Sequence, residues 1–262
     1  MDVAGGDERR LTNNDSHDVA SDWSPDATQL ALVAFRDGDS EIYVMNADGS
    51  EQRQLTHNGA DDYWPAWSPD GAHLVFSSMR DGNEEIYVMD VQAALQGTGD
   101  DGQQRLTDNQ SSDTAPVWSP DGAHIVFASK RDGNYEIYVM DADGDNAQRL
   151  TTEPALDSCP AWSPDGTRIA FSSRRGGDYE IYIMAADGSD VTQLPIGDGD
   201  GWCPKWSPDG TQIAFYSYRP ERYRDGVPNA VYVVDVDGGN LRALTAPGEA
   251  SNWHPAWRPL AD

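Results

Sequence analysis

Asp18, Asp62, Asp113, Asp157 and Asn252 each stand five residues ahead of a tryptophan. Oxygen donors that return at one fixed place could hold a hard cation such as Ca²⁺ if the fold gathers them on one ring. The competing reading is local, because an aspartate at a turn accepts backbone N–H bonds and needs no metal. A second group is aromatic. Tyr63, Trp64, Trp202, Trp253 and His254 precede tryptophans of the same series, where other copies carry Val19, Ala20, Thr114 or Ala115. Such rings at a concave surface stack on a sugar or clamp an apolar peptide side chain, or else they plug a core. A third group, Tyr218, Arg219, Arg222, Tyr223 and Arg224, concentrates arginine and tyrosine within seven residues of an acidic chain. That is the composition of a recognition hot spot, or of a patch that neutralises nearby aspartates.

Nothing in the sequence reads as a catalytic constellation. His17, His57, His73, His124 and His254 have no metal-site spacing, and no Gly-x-Ser-x-Gly elbow occurs. With 45 acidic residues, no single carboxylate pair stands out. The series Arg80-Asp81-Gly82…Glu85 recurs as Arg131…Glu136 and Arg174…Glu180. One reaction needs one site, so a recurring group is scaffold. The expectation is a chain that is not an enzyme and needs no cofactor, with Ca²⁺ the one ion its residues suggest.

A formal net charge of -27 repels phosphate backbones, which argues against a nucleic-acid partner. Lys130 and Lys205 are the two lysines and most acids are aspartate; a GC-rich source with many turns and adaptation to high salt both fit. Nine tryptophans supply enough ring surface for a core despite the low hydrophobic fraction. No apolar run reaches the ~18 residues of a membrane span, and the N-terminus reads as lacking a secretory leader.

The elements that must position these side chains are written as a repeat. Trp-Ser-Pro-Asp begins at Trp23, Trp67, Trp118, Trp162 and Trp206, and a Trp-Arg-Pro variant at Trp257, with spacings of 44, 51, 44, 44 and 51. Between them recur an apolar run (Ile125-Val126-Phe127), a Glu-Ile-Tyr-Val-Met run (Glu136 to Met140) and a short Gln148-Arg149-Leu150-Thr151 segment. Each has the length and β-branched or aromatic content of one strand, bounded by Asp-Gly or Pro-Asp-Gly turns. Four short strands per ~44 residues make a propeller blade. The two long spacings put extra residues near Gln92 to Asp101, between third and fourth strands, and near Arg219 to Pro228, between second and third.

This motif set resembles the TolB-like propeller family, whose blades carry the same Pro-x-Trp-Ser-Pro-Asp-Gly and Glu-Ile-Tyr-x-Met signatures, and the resemblance covers nearly the whole chain. It implies a protein- or peptide-binding propeller in the periplasm or outside the cell, with a glycan as a further ligand class. Related alternatives are a polysaccharide-lyase-like propeller, whose histidine-rich metal site has no counterpart here, and a propeller detached from a prolyl-oligopeptidase-type hydrolase. Cys159 and Cys203 hold equivalent places in adjacent repeats, each just before a proline. A disulfide there and two free buried thiols are both open, the bond requiring Cα atoms within about 7 Å.

The count of strands predicts an all-β, six-fold propeller filling residues 1–262 as one domain. It would have five complete blades and an incomplete closing blade from 1–16 and 250–262, whose middle strands are missing. Leu11 lies ten residues after Met1, the interval that separates Met140 from Leu150. Met1 therefore falls where a third strand should end, and the sequence reads as starting at an internal methionine, or as a five-repeat ring with a stunted closure. A monomer is expected unless another chain completes the unfinished blade.

Overall fold

Each repeat folds into one antiparallel sheet whose four strands pair in chain order. A computed structural model describes residues 9–14, 17–36, 38–97, 102–197, 199–218, 229–245 and 255–259. The first sheet holds β1 (Asp18–Trp23), β2 (Gln29–Arg36), β3 (Asp39–Asn46) and β4 (Arg53–Gln54). The second holds β5 (Asp62–Trp67), β6 (His73–Ser78), β7 (Glu85–Asp90) and β8 (Gln103–Arg105). The third holds β9 (Asp113–Trp118), β10 (His124–Ser129), β11 (Glu136–Asp141) and β12 (Gln148–Arg149). The fourth holds β13 (Asp157–Trp162), β14 (Arg168–Ser173), β15 (Glu180–Ala185) and β16 (Thr192–Gln193). The fifth holds β17 (Trp202–Trp206), β18 (Gln212–Tyr218), β19 (Asn229–Asp235) and β20 (Arg242–Ala243). The extra residues after β7 wind into α1 (Val91–Leu95), started by Asp90, whose side chain accepts the Ala93 N–H. Among the described residues no helix is long and apolar enough to cross a membrane.

Contacts between β1 and β5, β5 and β9, β9 and β13, and β13 and β17 stand the first strands side by side about an axis. The second, third and fourth blades therefore have a neighbouring blade on both faces, and their middle strands are buried on both. The two-residue period divides the side chains between them. Leu74, Phe76, Tyr87 and Met89 of the second blade pack on Ala31, Ile42 and Val44 of the first. The alternate residues Val75 and Ile86 pack on Ile125, Phe127 and Tyr138 of the third. The motif tryptophans fill these seams, Trp67 among the residues of the first blade and Trp206 with its Nε1 donating to the Ala161 carbonyl at 3.1 Å.

The Ser-Pro-Asp-Gly turn is held by its own side chains. Ser68 Oγ donates to Asp70 Oδ1 at 2.5 Å and accepts the His73 N–H at 2.9 Å. Gly71 takes the left-handed conformation the turn requires, with φ of 69°.

The strands make five four-stranded blades, which corrects the six-fold ring with an incomplete closing blade. Residues 9–14 and 255–259 form no strand. An inner and an outer segment without middle strands lie about three strand spacings of ~4.8 Å apart, so neither has an edge to pair with. Side chains anchor the C-terminal segment instead. Trp257 Nε1 donates to the Lys205 carbonyl at 2.9 Å, and Arg258 Nη2 to the Ala27 carbonyl at 3.2 Å.

Candidate functional site

One face of the ring collects the starts of the first strands and the hairpins between second and third strands. Bonds from Phe35 N to His17 O, Met79 N to Asp61 O, Lys130 N to Ser112 O and Arg174 N to Leu156 O tie the two together in four blades. This face is the mouth of the axial channel. Register breaks in β5, β9, β13 and β17, and the residue before proline turns left-handed, with φ of 58° at Trp64, 53° at Ala115, 51° at Cys159 and 46° at Cys203. A bulge re-aims a side chain, and these four residues line the channel, a space of about 30 Å³. Cys159 and Cys203 meet there in a disulfide with Cα atoms 4.9 Å apart, so the bonded alternative holds. Among the described residues Lys205 is the one charged residue in the lining. Asp22, its counterpart in β1, accepts the Trp67 N–H at 2.9 Å. Burial pushes the Asp22 carboxyl up, and the Lys205 charge partly offsets that.

A second space of about 360 Å³ opens at the mouth between the first and second blades. Val19, Val33 and Phe35 form one wall, and Tyr63, Trp64 and Glu84 face them. Phe35 is 50% exposed and Val19 38%, unusual for residues of their size. Tyr63 is fixed by the Ser40 hydroxyl, which donates to its phenol oxygen at 3.3 Å. Glu84 accepts from Thr114 Oγ1 at 3.0 Å, and its carboxyl is pushed up by burial.

Trp202 stands at the same sequence place as Tyr63, yet it packs among neighbouring rings. It stacks on Tyr216 at 5.9 Å and 13°, and Tyr179 packs against it. Arg174 extends the group, its guanidinium 5.2 Å from the Tyr179 ring.

The aspartates considered as metal ligands each meet an arginine of their own blade. Asp18 pairs with Arg36 at 3.4 Å, Asp62 with Arg80 at 3.2 Å, Asp113 with Arg131 at 2.8 Å and Asp157 with Arg175 at 2.9 Å. Burial raises Asp62, Asp113 and Asp157 above the usual carboxylate range while those arginines draw them back. Among the described residues no three His, Cys, Asp or Glu side chains group as a metal site. The repeated Arg-Asp-Gly…Glu series is scaffold, but in the fourth blade Arg175 makes the pair and Arg174 turns to Tyr179. Asn252, Trp253, His254, Arg219, Arg222, Tyr223 and Arg224 lie outside the described residues.

Phe35, Glu84 and Lys205 are the mouth residues sequence reasoning missed. The signal was present, since Phe35 aligns with Met79, Lys130 and Arg174, and Lys205 with Ala66, Val117 and Ala161. Phe35 stands in a column with no common residue, and Lys205 departs from one of alanine and valine.

Five radial four-stranded blades around a bulge-lined channel define the class: a β-propeller whose repeat-breaking side chains gather at one mouth. The chain belongs to the TolB β-propeller domain family, whose sequence pattern matches residues 1–98, 92–159 and 153–262. Among solved structures it is similar to TolB from Acinetobacter baumannii, at 26% identity and a TM-score of 0.79, over 95% of this chain and 59% of that one. The chain thus spans about three-fifths of that TolB. It is also similar to a putative TolB from Agrobacterium tumefaciens, at 29% identity and a TM-score of 0.74, over 90% of this chain and 83% of that one. Likeness in fold alone extends to an oligogalacturonate lyase in complex with manganese, at 15% identity and a TM-score of 0.62, over 89% of this chain and 68% of that one.

Proposed function

We propose that this chain is a non-catalytic propeller that binds a protein or peptide partner at its channel mouth, seating an apolar side chain of the partner between the first two blades. The observation that carries this is the open apolar cleft. Phe35 and Val19 stand exposed beside it, and Tyr63 and Trp64 face them across about 360 Å³. A surface of this kind costs solubility unless something covers it, and clefts of this size seat side chains. Likeness to TolB structures supports a protein partner and, with the Cys159–Cys203 bond, an oxidising setting such as the periplasm or cell exterior.

The experiment is to pan a displayed library of linear 12-residue peptides against the full chain and measure the enriched peptides by fluorescence anisotropy. Phe35→Ser is expected to weaken them by about tenfold or more, as loss of an interface aromatic does. Its melting temperature should stay near that of the parent, because Phe35 is half exposed. Equal binding by the parent and Phe35→Ser would refute the site, and turnover of any peptide by the purified chain would refute the non-catalytic reading.

A further inference from the structure

Trp64 lines both the cleft and the axial channel, so one residue borders the two spaces. Beyond it the channel wall is apolar, with Ala66, Val117, Pro160 and Pro204, until Lys205. Lys205 is one of two lysines in a chain of net charge -27. The scaffold does not require it, since the same register carries alanine or valine in the second, third and fourth blades. An ammonium is strongly hydrated, and one half-buried in an apolar wall gains from an acceptor that the wall lacks. Among the described residues no carboxylate forms an ion pair with Lys205. Asp22, the acid whose field reaches it, is engaged with the Trp67 N–H.

We infer that the mouth recognises a carboxylate beside an apolar side chain: the cleft takes the apolar group, and Lys205 donates to the carboxylate inside the channel. The inference rests on the mouth being the peptide site and narrows the partner to a segment in which Asp, Glu or a free C-terminus adjoins an aromatic or aliphatic residue. The negative field of the whole molecule opposes an acidic partner at long range, but salt screens exposed charges beyond about 10 Å. What remains is a short-range contact in a water-poor channel, where a single charge pair counts most. Lys205 therefore serves discrimination and not steering.

The same library tests this on the full chain. Enriched peptides are expected to carry an acid or require their free C-terminus within a few residues of the apolar anchor. Changing the peptide's Asp to Asn, or amidating its C-terminus, distinguishes the two sources of carboxylate without touching the protein. The decisive neutralisation and Lys205→Met, which keeps the stem, should each weaken binding by about 30-fold or more, as when one partner of a buried charge pair is removed. Applied together they should cost little beyond either alone, and Lys205→Arg should retain most of the affinity. Enriched peptides free of carboxylates, or an acidic peptide bound equally by the parent and Lys205→Met, would overturn the inference. If Phe35→Ser still weakens those peptides, the site reading survives that result; if it does not, both fall.

Discussion

Glu41 is a buried carboxylate without the arginine that its equivalents in the second and third blades keep, and that loss can be restored by one substitution. In the second blade Glu85 Oε1 accepts from Arg105 Nη2 at 3.0 Å, and in the third Glu136 Oε1 accepts from Arg149 Nη2 at 2.6 Å. In the first blade Gln54 stands where those arginines do. Its Nε2 donates to the Thr56 carbonyl, as Arg105 Nε does to Thr107, but nothing cationic reaches Glu41. Glu41 is 3% exposed and its Oε2 has no partner among the described residues. Burial, with Asp62 and Asp39 adding repulsion, raises its carboxyl from 4.5 to about 7.

The sign follows from linkage. A carboxyl raised on folding holds its proton in the native state after the unfolded chain has released it. Its contribution is full below about 4.5 and is lost as pH rises through about 7. At about 1.4 kcal/mol per unit the loss is at most about 3.5 kcal/mol. Gln54→Arg should return a large part of this at pH 8 and little at pH 4.5, and Glu41→Gln should flatten the same stretch of the profile. Urea unfolding at half-unit steps from pH 4.5 to 8.5 measures both. A gain from Gln54→Arg that is equal at the two ends, or a Glu41→Gln profile parallel to the parent's, would refute the reasoning.

Reducing the Cys159–Cys203 bond frees a closure of 44 residues, worth about 4 kcal/mol in the chain-entropy account. Calorimetry with and without reductant should show a melting temperature lower by roughly 8–16 °C, and an unchanged value would exclude a stabilising bond. Arg131→Met strands the buried Asp113 carboxylate and should cost about 3–5 kcal/mol near neutral pH. Asp113→Asn in the same chain should recover part of that loss in denaturant melts. Trp202→Ala removes the centre of the Tyr179–Trp202–Tyr216 group and should lower stability by about 3 kcal/mol while peptide affinity stays unchanged. A large affinity loss without a stability loss would make Trp202 a contact residue.

What the sequence determined by itself was everything that recurs. Tryptophan spacing, the Ser-Pro-Asp-Gly turn and the two-residue alternation define each four-stranded sheet, because hairpin pairing is decided within one repeat. That Arg-Asp-Gly…Glu is framework follows from the same recurrence, whereas the pairing of the repeated aspartates with arginines emerged only in the folded blades. Tertiary structure decided what depends on neighbours. Tyr63 and Trp202 hold the same place in their repeats, yet Tyr179 and Tyr216 pack on Trp202 while Phe35 and Val19 leave space beside Tyr63. The Cys159–Cys203 bond, the place of Lys205 in the channel and the closure through Trp257 and Arg258 are likewise relations between blades. Spacing along a chain fixes strand pairing at short range, but the distance between side chains of adjacent blades is set by how the sheets pack about their axis.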